Sequence, residues 1–194
     1  GIEPSPTLAP ALRARLCEAA RRMARRVGYE GLGTFEFLVP AEARGDGDGD
    51  FAFIEVNPRL QVEHTVTEQV LGIDLVRTQL RVAAGASLAE LGLAGLDPKP
   101  EGHAIQLRIN METLAPDGST RPSGGTLAAF DLPSGPGVRV DSFGYTGYTT
   151  SPRYDSLLAK LIVHSPSPDY AEAVQRARRA LSEFRIEGVS TNAA

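Results

Sequence analysis

The chain has 194 residues, a length that suits one large domain or two small ones. Of these residues 42% are hydrophobic, which is ample for a core, and 23% are charged. A formal net charge of -4 argues against a nucleic-acid-binding domain, and no apolar run reaches the length of a membrane span. Cys17 is the only cysteine, so an intrachain disulfide is excluded, as expected for the reducing cytoplasm. Residues 1–6 lack the pattern of a signal peptide.

The first predicted element is a helix over about residues 9–27, after a proline-rich extended leader. Its apolar side chains recur every three or four residues, as on one face of a helix, at Leu12, Leu16, Ala19, Met23 and Val27. Gly28 is a typical C-terminal stop.

An antiparallel hairpin is predicted next, because residues 34–39 and 51–56 are rich in Phe and β-branched side chains. Glu36 on the first strand and Glu55 on the second are expected to face the same side. The polar turn of residues 40–50 contains a Gly-Asp repeat, but an EF-hand loop beginning at Asp46 would need Gly and Glu where Phe51 and Asn57 stand. A solvated loop is therefore predicted.

Two helical segments follow, one beginning near residues 65–67 and the other capped by Asp74 and ended by Gly85. Residues 88–100 are rich in Gly, Pro and Leu, which indicates a domain boundary. Beyond it the sequence predicts strands at about 103–110, 126–130, 137–141 and 157–163, and a final amphipathic helix from about Asp169.

Residues 54–64 alternate apolar and polar side chains, so an extended backbone would place the polar set on one face: Glu55, Asn57, Arg59, Gln61 and Glu63. Such a charged cluster is costly unless a charged ligand binds there. Glu36, Glu55 and Asn57 offer the oxygen ligands that Mg²⁺ prefers. Arg59 can grip a planar carbonate in a bidentate way, although an ion pair between Arg59 and Glu63 is the structural alternative.

This segment resembles the active-site strand and loop of biotin carboxylases. The resemblance continues through further blocks that occur in the family's order: 33–38, 102–105 with 108–110, 154–156 with 160–161, and 188–189 with 191–192. It places the chain in the second half of the family and implies a fragment of a longer enzyme. The fold implied is α+β, with residues 1–100 as the C-terminal part of an ATP-grasp domain. Residues 101–194 would form an incomplete biotin carboxylase C-terminal domain with a mainly antiparallel sheet and flanking helices.

The family resemblance also implies a reaction and its partners. Biotin carboxylases use ATP, Mg²⁺ or Mn²⁺ and bicarbonate to carboxylate biotin carried on a biotin carboxyl carrier domain, through carboxyphosphate. They work with a carboxyltransferase domain or subunit, and a homo-oligomeric parent enzyme is expected, without nucleic acid or membrane partners. The final acceptor stays open among acetyl-CoA, propionyl-CoA or another acyl-CoA, pyruvate and urea. The isolated fragment is expected to be inactive.

Residue roles are carried over from the resemblance to matching positions. Glu36, Glu55 and Asn57 would hold the metals that bridge the ATP phosphates. Bicarbonate would be held by Arg59, Gln61, the Val62 backbone amide and Glu63, and Glu63 would be the general base. Arg108 would contact bicarbonate and stabilise the charge on the biotin ureido oxygen. Leu38 would contact adenine or pack in the core, and Asp155 and Lys160 would form a supporting ion pair or a domain contact. The position of His64 directly after Glu63 suggests, independently of the resemblance, that it braces the loop.

Two other interpretations of the function stay open. Another ATP-grasp carboxylate–amine ligase would share the acid pair, but residues 61–64 and the C-terminal blocks favour biotin carboxylase. A non-catalytic assembly module is the alternative from a different class. The sequence departs from many family members around Glu112, Gly124 and Pro136, which lie outside the proposed metal and bicarbonate sets and leave the subfamily and the subunit contacts open.

Overall fold

A computed structural model describes residues 1–40, 50–95 and 98–193 of the chain. The chain divides into two compact units. We call Ser5–Lys99 the hairpin unit, and Gly1–Pro4 together with Pro100–Ala194 the sheet unit. Both combine helices with antiparallel strands, so the α+β class predicted from the sequence is confirmed. None of the helices in the described ranges is both long and apolar enough to cross a bilayer.

The hairpin unit begins with helix α1, Pro10–Val27, as predicted from the apolar spacing. Proline at the first helical position needs no amide partner, so it suits a helix start. Gly28 ends the helix in the left-handed conformation at φ 61°, which a glycine adopts without steric cost. Leu12 is the most deeply buried side chain of α1, at 1% exposure.

Strands β2, Thr34–Leu38, and β3, Ala52–Asn57, form the predicted antiparallel hairpin. Glu36 pairs directly with Glu55, so the expectation that these acids share a side is confirmed. The predicted polar connection falls mostly on residues 41–49, which lie outside the described residues. The first four positions of the rejected calcium loop, 46–49, lie there too, whereas its later positions run into β3.

Two short helices complete the hairpin unit: α2, His64–Leu71, and α3, Leu75–Ala83. Gly72 ends α2 with φ 64°, and the Asp74 side chain caps α3 by accepting the Arg77 amide at 2.7 Å. The interruption at Gly72 and the cap at Asp74 are confirmed, and α2 starts slightly earlier than the sequence predicted.

The sheet unit contains a four-stranded antiparallel sheet in the order β1-β4-β9-β8. Helix α4, Tyr170–Glu183, packs against it, and the Asp169 side chain caps the helix by accepting the Ala171 amide at 2.9 Å. The strands are β1 Ile2–Glu3, β4 His103–Asn110, β8 Val138–Ser142 and β9 Leu157–Ser165. The predicted strands at 103–110, 137–141 and 157–163 are therefore confirmed, whereas β1 was not predicted.

Four shorter strands form two small ribbons, β5 with β6 and β7 with β10. Their bounds are β5 Glu112–Leu114, β6 Thr120–Pro122, β7 Ala129–Asp131 and β10 Arg185–Glu187. The strand predicted at 126–130 is shorter and later, because Thr126 makes only an isolated bridge to Thr149. Strands β5, β6 and β10 have three residues each and were missed, since so few residues show no periodicity.

Two apolar clusters form the core of the sheet unit, and β9 contributes to both. The first packs α4 on the sheet through Ile105, Leu161, Val163, Ala173, Ala177 and Ala180. The second joins the sheet to the shorter strands through Ile109, Met111, Leu127, Phe130, Leu158 and Ala159. β4 and β9 are thereby fixed along their whole length, which gives a rigid base to any side chain on β4.

A charged cluster on β8 and β9 makes the sheet unit sensitive to acid. Asp141 accepts a hydrogen bond from Arg139 Nε at 2.8 Å and lies 3.4 Å from Lys160 Nζ. Partial burial raises the pKa of Asp141, but the hydrogen bond and charge of Arg139 and the charge of Lys160 outweigh it. The pKa therefore lies below its ordinary value of 3.8. An aspartate with a lowered pKa stabilises the fold above its unfolded-state pKa, and this contribution is lost as pH falls through the folded-state pKa.

We therefore expect Asp141→Asn to lower the free energy of unfolding at neutral pH by up to ~1 kcal/mol, since the cluster is partly exposed. The difference from the wild type should shrink below about pH 4, where the wild-type carboxyl is itself protonated. Urea denaturation over a pH series measures both quantities, with exposed Asp50→Asn as the charge-matched control. A difference that stays constant down to about pH 2 would contradict this assignment.

Candidate active site

The acid pair of the hairpin unit is positioned by a β-bulge. Glu36 pairs with Glu55, but the next residue, Phe37, pairs with Phe53, so Ile54 is the extra residue of β3. Without the bulge, strand alternation would put Phe53 and Glu55 on one face. With it, Phe53 packs near Phe37 on the apolar face, with ring centroids 5.8 Å apart, while Glu55 stays opposite Glu36.

Asn57 links the two carboxylates. Its Nδ2 donates to Glu36 Oε1 at 2.9 Å and to Glu55 Oε1 at 3.0 Å. Like charges directly opposite on paired strands repel, and the amide hydrogens offset part of that repulsion. If the amide rotates by half a turn, its oxygen takes this position, and the three side chains then present oxygen atoms to one point. The donor chemistry fits a hard cation such as Mg²⁺.

Gln61 also contacts the acid pair. Gln61 Nε2 donates to Glu36 Oε1 at 3.3 Å, whereas Gln61 Oε1 is buried and has no hydrogen-bond partner. A buried acceptor without a donor is unusual in proteins and indicates a place for a further polar group. No group of three or more His, Cys, Asp or Glu side chains in the described ranges is arranged to hold a metal. The candidate metal site contains only two acids, so its other ligand oxygens would have to come from side-chain amides.

The segment after Asn57 differs from the sequence prediction. The alternation expected over 54–64 holds only through Asn57, because β3 ends there and the chain turns. Pro58 has no amide hydrogen for a strand ladder, and the Arg59 amide bonds back to the Asn57 carbonyl at 2.8 Å. Placing Arg59, Gln61 and Glu63 on one strand face was therefore wrong. They lie in a turn that leads into α2.

This turn presents the candidate bicarbonate residues in a short space. Glu63 is the N-cap residue of α2, and its side chain makes no capping bond. The His64 amide donates to the Gln61 carbonyl at 3.2 Å, which closes the turn around Val62. Arg59 is exposed, and its Nη1 donates to the Leu60 carbonyl at 3.2 Å. A cavity of about 810 Å³ in the hairpin unit is lined partly by Arg59 and its neighbours Pro58 and Leu60.

Two other predicted residues lie on β2 and β4. Leu38 ends β2 and is 64% exposed, so within the hairpin unit it is a surface residue and not part of the core. Arg108 is exposed on β4 of the sheet unit. The Asn192 side chain holds the backbone from the Arg108 carbonyl to the Asn110 amide: Oδ1 accepts the Asn110 amide at 2.9 Å, and Nδ2 donates to the Arg108 carbonyl at 3.2 Å.

The supporting residues Asp155 and Lys160 are also on the sheet unit. Asp155 accepts the Leu157 amide at 2.8 Å, just before β9, and Lys160 lies beside Asp141. Sequence reasoning missed Glu68, a buried acid of α2 close to the turn. In the sequence, Glu68 stands between the apolar residues Val66 and Val70, which are deeply buried in the structure, and four residues after His64. This placement could have indicated a buried acid that faces His64.

Two family models match the chain. The biotin carboxylase C-terminal domain matches residues 106–194, and the carbamoyl-phosphate synthase L chain ATP binding domain matches residues 2–91. Only residue 1 and residues 92–105 lie outside these matches. The ATP-binding match includes the acid pair and the turn, and the other match includes Arg108.

Individual proteins are similar over nearly the whole chain. One pyruvate carboxylase subunit of Methanothermobacter thermautotrophicus is 45% identical over 97% of this chain and 35% of its own length. A solved single-chain, multi-domain long-chain acyl-CoA carboxylase is 50% identical with a TM-score of 0.91, over 99% of this chain and 20% of that one.

A third similar protein was solved with ligands. It is the biotin carboxylase domain of the Hydrogenobacter thermophilus 2-oxoglutarate carboxylase, in complex with MgADP, ADP and bicarbonate. It is 38% identical with a TM-score of 0.86, over 99% of this chain and 40% of that one. The chain thus spans well under half the length of each of these three proteins.

The bridging role of Asn57 can be tested through stability. Asn57→Ala removes both amide hydrogen bonds and leaves Glu36 and Glu55 facing each other, so we expect a loss of ~1–2 kcal/mol in the free energy of unfolding. In a Glu36→Gln background the same change should cost less, by at least ~0.5 kcal/mol. Urea denaturation of the four proteins measures the coupling. Strictly additive losses would show that the amide does not link the two acids.

Proposed function

The chain belongs to the biotin carboxylase family, and we propose that it forms the second part of such an enzyme. Residues 1–100 would be the C-terminal part of its ATP-grasp domain, and residues 101–194 its biotin carboxylase C-terminal domain. The proposed reaction uses ATP and bicarbonate to form carboxyphosphate, which delivers carbon dioxide to biotin on a carrier domain. The observation that supports it most strongly is the acid pair joined by Asn57 and followed directly by the Arg59–Glu63 turn.

Glu36, Glu55 and Asn57 would hold magnesium or manganese, since all three present oxygens toward one point when the amide is turned. Bound there, the cation would neutralise charge on the ATP phosphates. The similar Hydrogenobacter thermophilus domain binds MgADP and bicarbonate, which supports this proposal for the same fold. Leu38 would offer its exposed side chain to the adenine ring.

The turn would position bicarbonate. Arg59 can hold a carbonate plane with two parallel hydrogen bonds, while Gln61 and the Val62 amide would hold other oxygens. Glu63 would take the proton of bicarbonate, so that its oxygen becomes a better nucleophile toward the γ-phosphorus. Gln61 contacts Glu36, and this contact would keep the bicarbonate beside the metal-bound phosphate.

Arg108 would act in the second half of the reaction. A guanidinium directed at an oxygen that gains negative charge lowers the barrier for forming it, and here that oxygen would be the ureido oxygen of biotin. Asn192 fixes the backbone that directly follows the Arg108 side chain, at the Arg108 carbonyl and the Asn110 amide, which would limit the movement of Arg108.

The partners proposed for the parent enzyme are a biotin carboxyl carrier domain and a carboxyltransferase. With these partners the parent enzyme would carboxylate an acyl-CoA or pyruvate. Two similar proteins are named as carboxylases of these two acceptors. A homo-oligomer and a cytoplasmic location are proposed as well, the latter because a chain with one cysteine suits a reducing compartment.

A second candidate is another ATP-grasp ligase, favoured by the match of residues 2–91 to a carbamoyl-phosphate synthase domain. The match of residues 106–194 to the biotin carboxylase C-terminal domain favours the first proposal. Dependence of ATP cleavage by the full-length protein on both bicarbonate and biotin would distinguish them, because another ligase would need a different acceptor.

We expect Glu63→Ala, in the full-length protein that carries this chain, to lower bicarbonate-dependent ATP cleavage by ~10²–10⁴-fold, the usual contribution of a general base. ATP binding should stay largely intact, because Glu63 is placed on bicarbonate and not on the nucleotide. Phosphate release and nucleotide titration measure the two effects. Glu18→Ala on the exposed surface of α1 is the matched control. Undiminished turnover in Glu63→Ala would remove Glu63 from the mechanism.

The isolated 194-residue chain should have negligible ATPase activity, because it spans only part of the length of similar enzymes. The same phosphate-release assay at equal molar concentration, with the full-length protein as the positive control, measures this. Biotin carboxylation by the isolated chain would show that these residues alone suffice for catalysis.

A further inference from the structure

Helix α2 buries an acid that the proposed reaction does not use. Glu68 is 8% exposed and is the only charged residue in the buried core of the described ranges. A buried carboxylate is costly unless hydrogen bonds and opposite charge compensate it. Its Oε1 accepts the amide of Leu75, the first residue of α3, at 2.9 Å. Glu68 is therefore fixed at the junction of α2 and α3.

The same carboxylate faces His64, one helical turn earlier. Glu68 Oε1 lies 3.9 Å from His64 Nε2, and the side chain of His64 is only 12% exposed. His64 Nδ1 lies 2.9 Å from the Gln61 carbonyl oxygen. A carbonyl only accepts hydrogen bonds, so Nδ1 must carry the hydrogen and donate it. The imidazole thus lies between the Glu68 carboxylate and the backbone of the turn, and its Nδ1 hydrogen is directed to the Gln61 carbonyl.

His64 consequently holds the Gln61 carbonyl with two donors, its backbone amide at 3.2 Å and its ring Nδ1 at 2.9 Å. The turn between the end of β3 and the start of α2 contains only residues 58–63. Fixing one carbonyl in so short a turn limits the orientation of the neighbouring side chains. Gln61 and Glu63, which flank Val62, are the residues most directly affected.

We propose that His64, oriented by the buried Glu68, is a positioning residue that fixes the 61–63 turn in the geometry needed for bicarbonate. This inference is based on the function proposed above and extends it to two residues that touch no substrate. Small displacements of groups that orient a reactant are costly, since an error of about 1 Å can reduce the rate ~10²-fold. The effect should fall on bicarbonate and spare ATP.

Two substitutions at His64 separate the hydrogen bond from the bulk of the side chain. His64→Asn keeps a donor close to the place of Nδ1, whereas His64→Leu fills space without a donor. In the full-length protein we expect His64→Leu to raise the KM for bicarbonate ~10-fold or more and to lower kcat, with the KM for ATP unchanged within ~2-fold. His64→Asn should recover most of the loss. A purely structural role would not give this split between substrates or this rescue.

A third variant tests Glu68. Glu68→Gln keeps an oxygen to accept the Leu75 amide but removes the charge that faces His64. We expect a smaller rise in the KM for bicarbonate, about threefold, with little change in melting temperature. If His64→Leu does not fold, the comparison of His64→Asn and Glu68→Gln with the wild type decides the question.

Hydrogen exchange of the segment 58–64 gives a readout that needs no activity. His64→Leu and Glu68→Gln should speed exchange there more than in α1, and His64→Asn should restore protection. If the wild-type protein is active but His64→Leu and Glu68→Gln leave the exchange rates unchanged, or leave the KM for bicarbonate unchanged, the positioning role is overturned. The proposed function would stay intact in that case. A wild-type protein without bicarbonate-dependent ATP cleavage would refute the proposed function, and the exchange data would still decide whether His64 holds the turn.

Discussion

The repulsion between two carboxylates on neighbouring strands governs the architecture of the candidate site. Glu36 and Glu55 are paired directly in the hairpin, an arrangement that costs free energy unless positive or donor groups lie between them. Asn57 supplies such donors from within β3, and Gln61 supplies another from the following turn. The turn is thus joined to the acid pair through hydrogen bonds, so a cation bound at the acids would also affect the residues proposed to hold bicarbonate.

The sequence predicted the acid pair because local rules apply to it. Glu55 and Asn57 are two residues apart on one strand, and the hairpin follows from two strand-like segments on either side of a polar turn. The same alternation failed beyond Asn57, where Pro58 ended the ladder and the chain turned into α2. The bulge at Ile54 could not be predicted either, because a run of alternating residues does not show which residue has no partner on the neighbouring strand.

Contacts between distant parts of the chain were the hardest to predict. Glu68 is buried and accepts the amide of Leu75 at the start of α3, a contact that the spacing of apolar residues alone does not reveal. Asn192 reaches the backbone at Arg108 from more than eighty residues away. The role of Arg108 likewise came from the family resemblance, since a single arginine on a strand carries no distinctive pattern.

Strand β1 has a consequence for how the chain can be divided. Ile2 and Glu3 pair with Ile105 and Ala104, so the first residues cover the side of β4 that β9 leaves open. Along the sequence, the hairpin unit therefore lies between β1 and β4, which are neighbouring strands of one sheet. A truncated protein that starts at residue 101 would lack β1 and expose hydrogen-bonding groups of β4 along a bare sheet edge. Such edges recruit strands from other molecules, so that truncated domain would tend to self-associate unless a substitute strand were supplied.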